Sequence, residues 1–232
     1  MEYIVKHVAG SVMYDLATAE SDVDIKGVYV NRDPEVLFGL KTDNGKVTTS
    51  EEEDVALFEL RRFFQLLRKT NTNALESLFF RYKHIIDDSE TYRTIRQNRS
   101  EFIDSKQLLR SLAGYMHGEY RLTIGERSGK LGGKRKEALE KYGYSYKNLV
   151  HMKRLLNAAK KFFKDGDFQT SLYGDPIRDE LLDMKLHPEK ISADKAKEIG
   201  QNCIEEMNNI KDTIKSEFNS ELACDIMKSV YL

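Results

Sequence analysis

Proline and cysteine are scarce in this sequence, and long apolar runs are missing. Three prolines among 232 residues, with 40% hydrophobic and 32% charged side chains, exclude an intrinsically disordered chain and describe a soluble, globular one at the charged end of the range. The two cysteines, Cys203 and Cys224, lie far apart in polar, helical-looking sequence. They supply neither a disulfide framework nor a zinc site, and they predict reduced thiols in a cytoplasmic protein. No run approaches the roughly 18 apolar residues of a membrane helix. Met1 to His7 holds no basic leader before an apolar stretch, so no signal peptide is expected. The length suits one domain of ordinary size, or a compact domain with a smaller partner.

The net charge of -1 hides a strong pattern. Residues 1–60 carry 5 basic and 13 acidic groups, residues 61–164 carry 24 and 10, and residues 165–232 carry 8 and 15. A basic middle suits a nucleotide or polyanion partner, although lysine-rich helices are often only solvated. The acidic first segment has acids at short spacings that can hold metal.

Hydrophobic periodicity divides the chain. Tyr3–Val8 reads as a strand ending at Gly10, and the alternating, β-branched Val23–Val30 reads as a second. An Asn-Gly turn at Asn44-Gly45 precedes a third strand over Val47–Leu57, with the run Glu51-Glu52-Glu53-Asp54 inside or beside it. From Phe58 the period becomes helical, with Leu60, Phe63, Phe64 and Leu67 on one face. Asn73 is the expected cap of a helix over Ala74–Tyr82. No strand is expected after about residue 90. Helices are expected at 101–119, 145–163, 193–216 and 218–231, with a basic, glycine-rich loop over 123–136. The fold class is therefore α+β: a small mixed sheet with flanking helices over 1–95, then a helical region over 96–232.

The chemistry is concentrated in the first 54 residues. Gly10-Ser11 follows the first strand, and Ser21-Asp22-Val23-Asp24 opens the second. On a strand, residues two apart share a side, so Asp22 and Asp24 project together while Val23 and Ile25 face the other way, toward the core. Adjacent carboxylates repel unless a cation lies between them, and oxygen-only ligands suit Mg²⁺ or Mn²⁺ better than zinc. Asp54, on a later strand that runs into a helix, is the natural third acid, with Glu52 and Glu59 as alternatives.

An Asp-x-Asp pair alone is weak evidence. The longer pattern Gly10-Ser11, then Asp22-Val23-Asp24-Ile25-Lys26-Gly27-Val28, resembles the signature of the polymerase-beta-like nucleotidyltransferase superfamily. Tyr14–Leu16, Thr18–Val28, Asp54–Arg62, Asn71–Leu78, Tyr142–Lys147, His151 and Arg154–Leu156 are similar to its RNA-ligase-associated, RNA repair pathway family. The resemblance spans most of residues 7–185. One departure is Asp15, where glycine is expected before Leu16. The resemblance implies that Gly10 and Ser11 hold triphosphate oxygens at a helix start. It implies that Asp22 and Asp24 carry two Mg²⁺ or Mn²⁺ ions, and that Asp54 holds the second ion and orients the attacking hydroxyl.

Lys147, His151 and Arg154 form one stripe on the helix predicted over 145–163, opposite Leu149, Met152 and Leu156. Such a stripe is either a solvated face or a set of nucleotide contacts, and the resemblance favours contacts. Lys134, Arg135 and Lys136 could clamp a triphosphate or an RNA. Gly125, Gly129 and Lys130 do not form a P-loop, because the spacing is one residue short and Leu131 replaces Ser or Thr. The function expected is transfer of a nucleoside monophosphate from a nucleoside triphosphate to a hydroxyl of RNA, protein or a small molecule. The alternative is a catalytically inactive nucleotide- or RNA-binding module.

Overall fold

The computed structural model describes residues 2–19, 21–49, 53–126 and 133–232. The fold is α+β, as expected. It comprises two compact units, Met1–Leu108 with Lys215–Leu232, and Leu109–Ile214.

The first unit is built on a five-stranded mixed sheet. Its strands are β1 (Glu2–Ala9), β2 (Val23–Val30), β3 (Lys46–Thr49), β4 (Glu53–Glu59) and β5 (Ile85–Asp88). They lie in the order β3-β4-β2-β1-β5. β1 is antiparallel to β2 and β5, β3 is antiparallel to β4, and β2 is parallel to β4. The stretch expected as one strand over 47–57 is two antiparallel strands, with Thr49 paired to Asp54. Glu51 and Glu52 of the acidic run lie outside the described residues. β5 gave no sequence signal because its Ile85-Ile86-Asp87-Asp88 has no alternation.

Short helices α1 (Gly10–Met13) and α2 (Pro34–Leu37) follow β1 and β2. β4 runs directly into α3 (Leu60–Arg68), which buries the predicted face of Leu60, Phe63, Phe64 and Leu67 against β2 and β4. Each such side chain contributes roughly 2 kcal/mol by leaving water. Glu59, 1% exposed, caps α3 by accepting from the Arg61 and Arg62 amides. α4 (Thr72–Phe79) begins two residues before the predicted start. Asn71 is its cap, accepting from the amides of Asn73 and Ala74. Asn73 lies inside the first turn and is engaged elsewhere. α5 (Glu90–Gln97) packs on β1.

In the second unit, α6 (Ser105–Thr123) enters from the first unit, and α7 (Gly133–Tyr142), α8 (Tyr146–Asp165), α9 (Ile177–Leu186) and α10 (Ala193–Asn208) follow. The basic loop expected over 123–136 is shorter, since residues 133–136 are helical. Gly129 and Gly132 lie outside the described residues. α8 packs against α9 and α10. Its apolar face includes Leu149, Met152, Leu155, Ala159 and Phe162, all buried. α10 stops at Asn208, short of the predicted Ser216. α11 (Ser220–Tyr231) belongs to the first unit and packs on α3 and α5. The Tyr231 hydroxyl there donates to Glu59, tying the last turn of α11 to the cap of α3. Among the described residues no strand follows residue 90.

Candidate active site

The site is built where β1 ends and β2 begins. β1 leads into Gly10, whose φ of +58° lies in the left-handed region. Only glycine takes that conformation without cost. A second requirement is spatial, because a Cβ on Gly10 would lie 1.7 Å from Asp24 Oδ2. The Gly-Ser turn and the Asp24 carboxylate are therefore in direct apposition, and Ala9 is the β1 register partner of Asp24. Asp15 also has a positive φ, +58°. The residue that stands in place of the expected glycine keeps the glycine-like backbone, which aspartate tolerates better than most residues. Its carboxylate is 3.1 Å from Lys83 Nζ.

Asp54 is the register partner of Asp24 across the parallel pair of β2 and β4. Paired residues of neighbouring strands share a face, so the two acids project to the same side of the sheet. Asp24 is half-buried, and Asp22 and Asp54 are exposed. Burial pushes the Asp24 carboxyl above the usual carboxylate range. Lys26 opposes that shift, and the charges of Asp54 and then Asp22 add to it. Both other acids are thus near enough to raise the cost of ionising Asp24. Ile25 turns inward and is buried as expected, whereas Val23 is 38% exposed.

Sequence patterns missed the support behind Asp24. Lys26 is two residues along β2, on the same side of the strand. Its ammonium is 2.8 Å from Asn73 Oδ1 and 3.3 Å from Glu76 Oε2. Glu76, 2% exposed, also accepts from the Tyr14 hydroxyl, 2.8 Å from both oxygens. The one available signal was the Asp24-x-Lys26 spacing. The carboxylate that anchors Lys26 comes from α4, fifty residues away in sequence. Glu59 is engaged as the α3 cap and by Tyr231.

Among the described residues no group of three or more His, Cys, Asp or Glu side chains is arranged to hold a metal ion by itself. Asp22, Asp24 and Asp54 are therefore not gathered into such a group, although Asp24 and Asp54 are register partners on one face. The donor set fits Mg²⁺ or Mn²⁺: the three acids offer oxygen alone, and they crowd negative charge around Asp24.

The other predicted contacts lie on α8 in the second unit. Lys147 and His151 line a cleft there. Arg154 is on neither a solvated face nor that cleft wall, being 2% exposed. Its Nη2 donates to His151 Nδ1 at 3.2 Å. Because a guanidinium can only donate, His151 is held as the neutral tautomer with its proton on Nε2.

The Gly-Ser turn thus lies against the first acid strand, with a third acid on the parallel strand beside it. Residues 3–224 match the RNA repair pathway DNA polymerase beta family, and the chain belongs to that family. An uncharacterized 38.9 kDa protein from the nrdC-mobD intergenic region of Enterobacteria phage T4 is 30% identical over 126 residues. The aligned stretch is 50% of this chain and 37% of that protein's length. A nucleotidyltransferase-like protein from Exiguobacterium sibiricum 255-15 aligns structurally with a TM-score of 0.36 at 13% identity, covering 89% of this chain and 68% of that one. Among the described residues no helix is long and apolar enough to cross a membrane.

Proposed function

We propose that the protein transfers a nucleoside monophosphate from a nucleoside triphosphate to an acceptor hydroxyl, releasing pyrophosphate. The observation that carries this reading is the apposition of Gly10 and Asp24 beside the Asp24–Asp54 pair. It brings a phosphate-contacting turn and an oxygen-ligand set to one place. Asp22, Asp24 and Asp54 hold the divalent metal, Mg²⁺ or Mn²⁺. When bound, that metal offsets triphosphate charge and makes a hydroxyl a better nucleophile. Ser11 and the Gly10 backbone contact the phosphates. Lys26 opposes the upward effect of burial on the Asp24 carboxyl. Asp54 orients the acceptor. Lys147 and His151, on the cleft of the second unit, are nucleotide contacts of that unit, and Arg154 holds the ring of His151.

RNA is the acceptor best suited to the basic segment over 61–164. Binding of single-stranded RNA should then weaken with salt, with a log–log slope of about -0.7 per phosphate contact. The test of function is incubation with each α-labelled nucleoside triphosphate, Mg²⁺ and total RNA. Label in RNA supports the reading. Label in protein or in a small product moves the acceptor. Tight nucleotide binding without turnover of any triphosphate would make the chain an inactive binding module instead.

A further inference from the structure

The second unit holds a cleft of about 620 Å³ formed by α6, α7 and α8, within the size range of small-molecule sites. Its wall combines three kinds of chemistry. Arg135 and Lys147 bring positive charge, Glu119 and Asn148 bring buried polar groups, and Tyr115 and His151 bring rings.

The polar wall is fixed in place. Asn148 Oδ1 accepts from Ser145 Oγ at 2.6 Å and from Arg135 Nε at 3.1 Å, while its Nδ2 donates to Glu119 Oε2 at 2.7 Å. With both ends of the amide engaged, Asn148 cannot flip, and it orients Arg135 and Glu119 together. Ser145 precedes α8 but spends its hydroxyl on Asn148 rather than on the helix amides. The first turn of α8, which carries Lys147 on the cleft wall, therefore has no side-chain cap from Ser145.

The rings and charges point to a particular ligand. Tyr115 is 40% exposed and meets His151 edge to face, 5.6 Å between centroids. An exposed aromatic beside basic groups is a platform on which a base can stack. Burial, and then the charge of Lys147, push the Lys185 amine below its usual range. The two ammonium groups are near enough to repel, and an anion near Lys147 would relieve that repulsion.

We infer that this cleft is a nucleoside-phosphate site complete within the helical unit, stacking the base on Tyr115 and holding phosphate with Lys147 and Arg135, without metal. Glu119 accepts from N–H or O–H donors of the base or ribose. The choice of a nucleotide over other phosphorylated aromatics rests on the function proposed above, whereas the described lining of the cleft comes from the helical unit alone. The same unit could arrive as a free mononucleotide or as the terminal nucleotide of RNA.

The test is equilibrium titration of the full chain in EDTA. The ligands are the four nucleoside monophosphates, their nucleosides, inorganic phosphate and a 5′-phosphorylated tetraribonucleotide. At least one monophosphate should bind tenfold or more tightly than its nucleoside and than phosphate. Tyr115→Ala should weaken that monophosphate about tenfold, as loss of one stacked base does, and leave phosphate affinity unchanged. Lys147→Ala should weaken both, and Lys147→Arg should restore them. Tighter binding of the tetranucleotide identifies an RNA end, and tighter binding of the monophosphate a free nucleotide; either supports the site. The double variant Asp22→Ala/Asp24→Ala should bind as wild type does, so failure of the catalytic reading and failure of this one are separable. Equal affinity for phosphate and every monophosphate, loss of binding in EDTA, or loss in the double acid variant would overturn the inference.

Discussion

The Asp24 carboxylate occupies the space in which a side chain at residue 10 would begin, 1.7 Å from the Cβ that Gly10 lacks. The turn that precedes the acids and the central acid are thus a single packed feature. Its geometry depends on one residue having no side chain.

Gly10→Ala should therefore fail twice. The left-handed backbone costs a non-glycine residue about 1–2 kcal/mol, and the methyl group must displace Asp24. The expected outcome is a lower unfolding free energy in denaturant and a loss of nucleotidyl transfer far larger than the stability change explains. A variant with normal activity would show that the apposition is not needed.

Asp15 shares the positive φ. Asp15→Gly relieves backbone strain and loses the Lys83 ion pair, whose lysine is 51% exposed and whose contribution is about 1 kcal/mol or less. The two effects nearly cancel, so stability should change by less than about 1 kcal/mol. Asp15→Ala keeps the strain and loses the pair, and should be the less stable of the two in thermal melts.

These cases show what could be read in the sequence. β1, β2, α3 and α8 are legible from periodicity, and α3 buries the one regular face that its spacing shows. The Gly-Ser turn and the acids were visible as a motif. The split into β3 and β4 and the short β5 were not, because pairing rather than alternation defines them. The α4 cap was displaced from Asn73 to Asn71 because both asparagines suit the role, and only tertiary structure gives Asn73 to Lys26. Arg154 reads in the sequence as a solvated or ligand-facing charge, since helical spacing cannot show that the helix is buried on more than one side.

Lys26 should couple stability to activity. Lys26→Met removes the Lys26 ammonium from the buried Glu76 carboxylate, at a cost of about 3 kcal/mol. It also removes the group that holds the Asp24 carboxyl down. The acid limb of the pH–activity profile should move to higher pH, because Asp24 must be ionised to act. Adding Glu76→Gln should recover much of the stability and leave the limb displaced. An unmoved limb would mean that Lys26 has only a structural role.

His7 predicts a stability change with pH. The ring is buried, stacked on Phe80 at 3.9 Å, and its Nδ1 donates to the Val8 carbonyl at 2.9 Å. Nε2 is left to accept from Ser77 Oγ at 3.0 Å. Burial pushes its pKa down from 6.5 to about 4. The unfolded chain therefore binds the proton first on acidification. The stability His7 contributes is complete above about pH 6.5 and is lost as pH falls through 4, by about 3 kcal/mol. Denaturant unfolding of wild type and His7→Gln from pH 7.5 to 4 should converge by roughly that amount. Parallel curves would contradict the buried neutral ring.

The most direct test of the central claim is transfer of α-labelled nucleotide by wild type and by Asp22→Ala/Asp24→Ala, with and without Mg²⁺, beside circular dichroism of both proteins. Metal-dependent transfer by wild type and none by a folded double variant is the predicted result. Full activity in the double variant, or transfer by wild type that is unchanged in EDTA, would contradict the assignment of Asp22, Asp24 and Asp54 as the catalytic metal-binding acids.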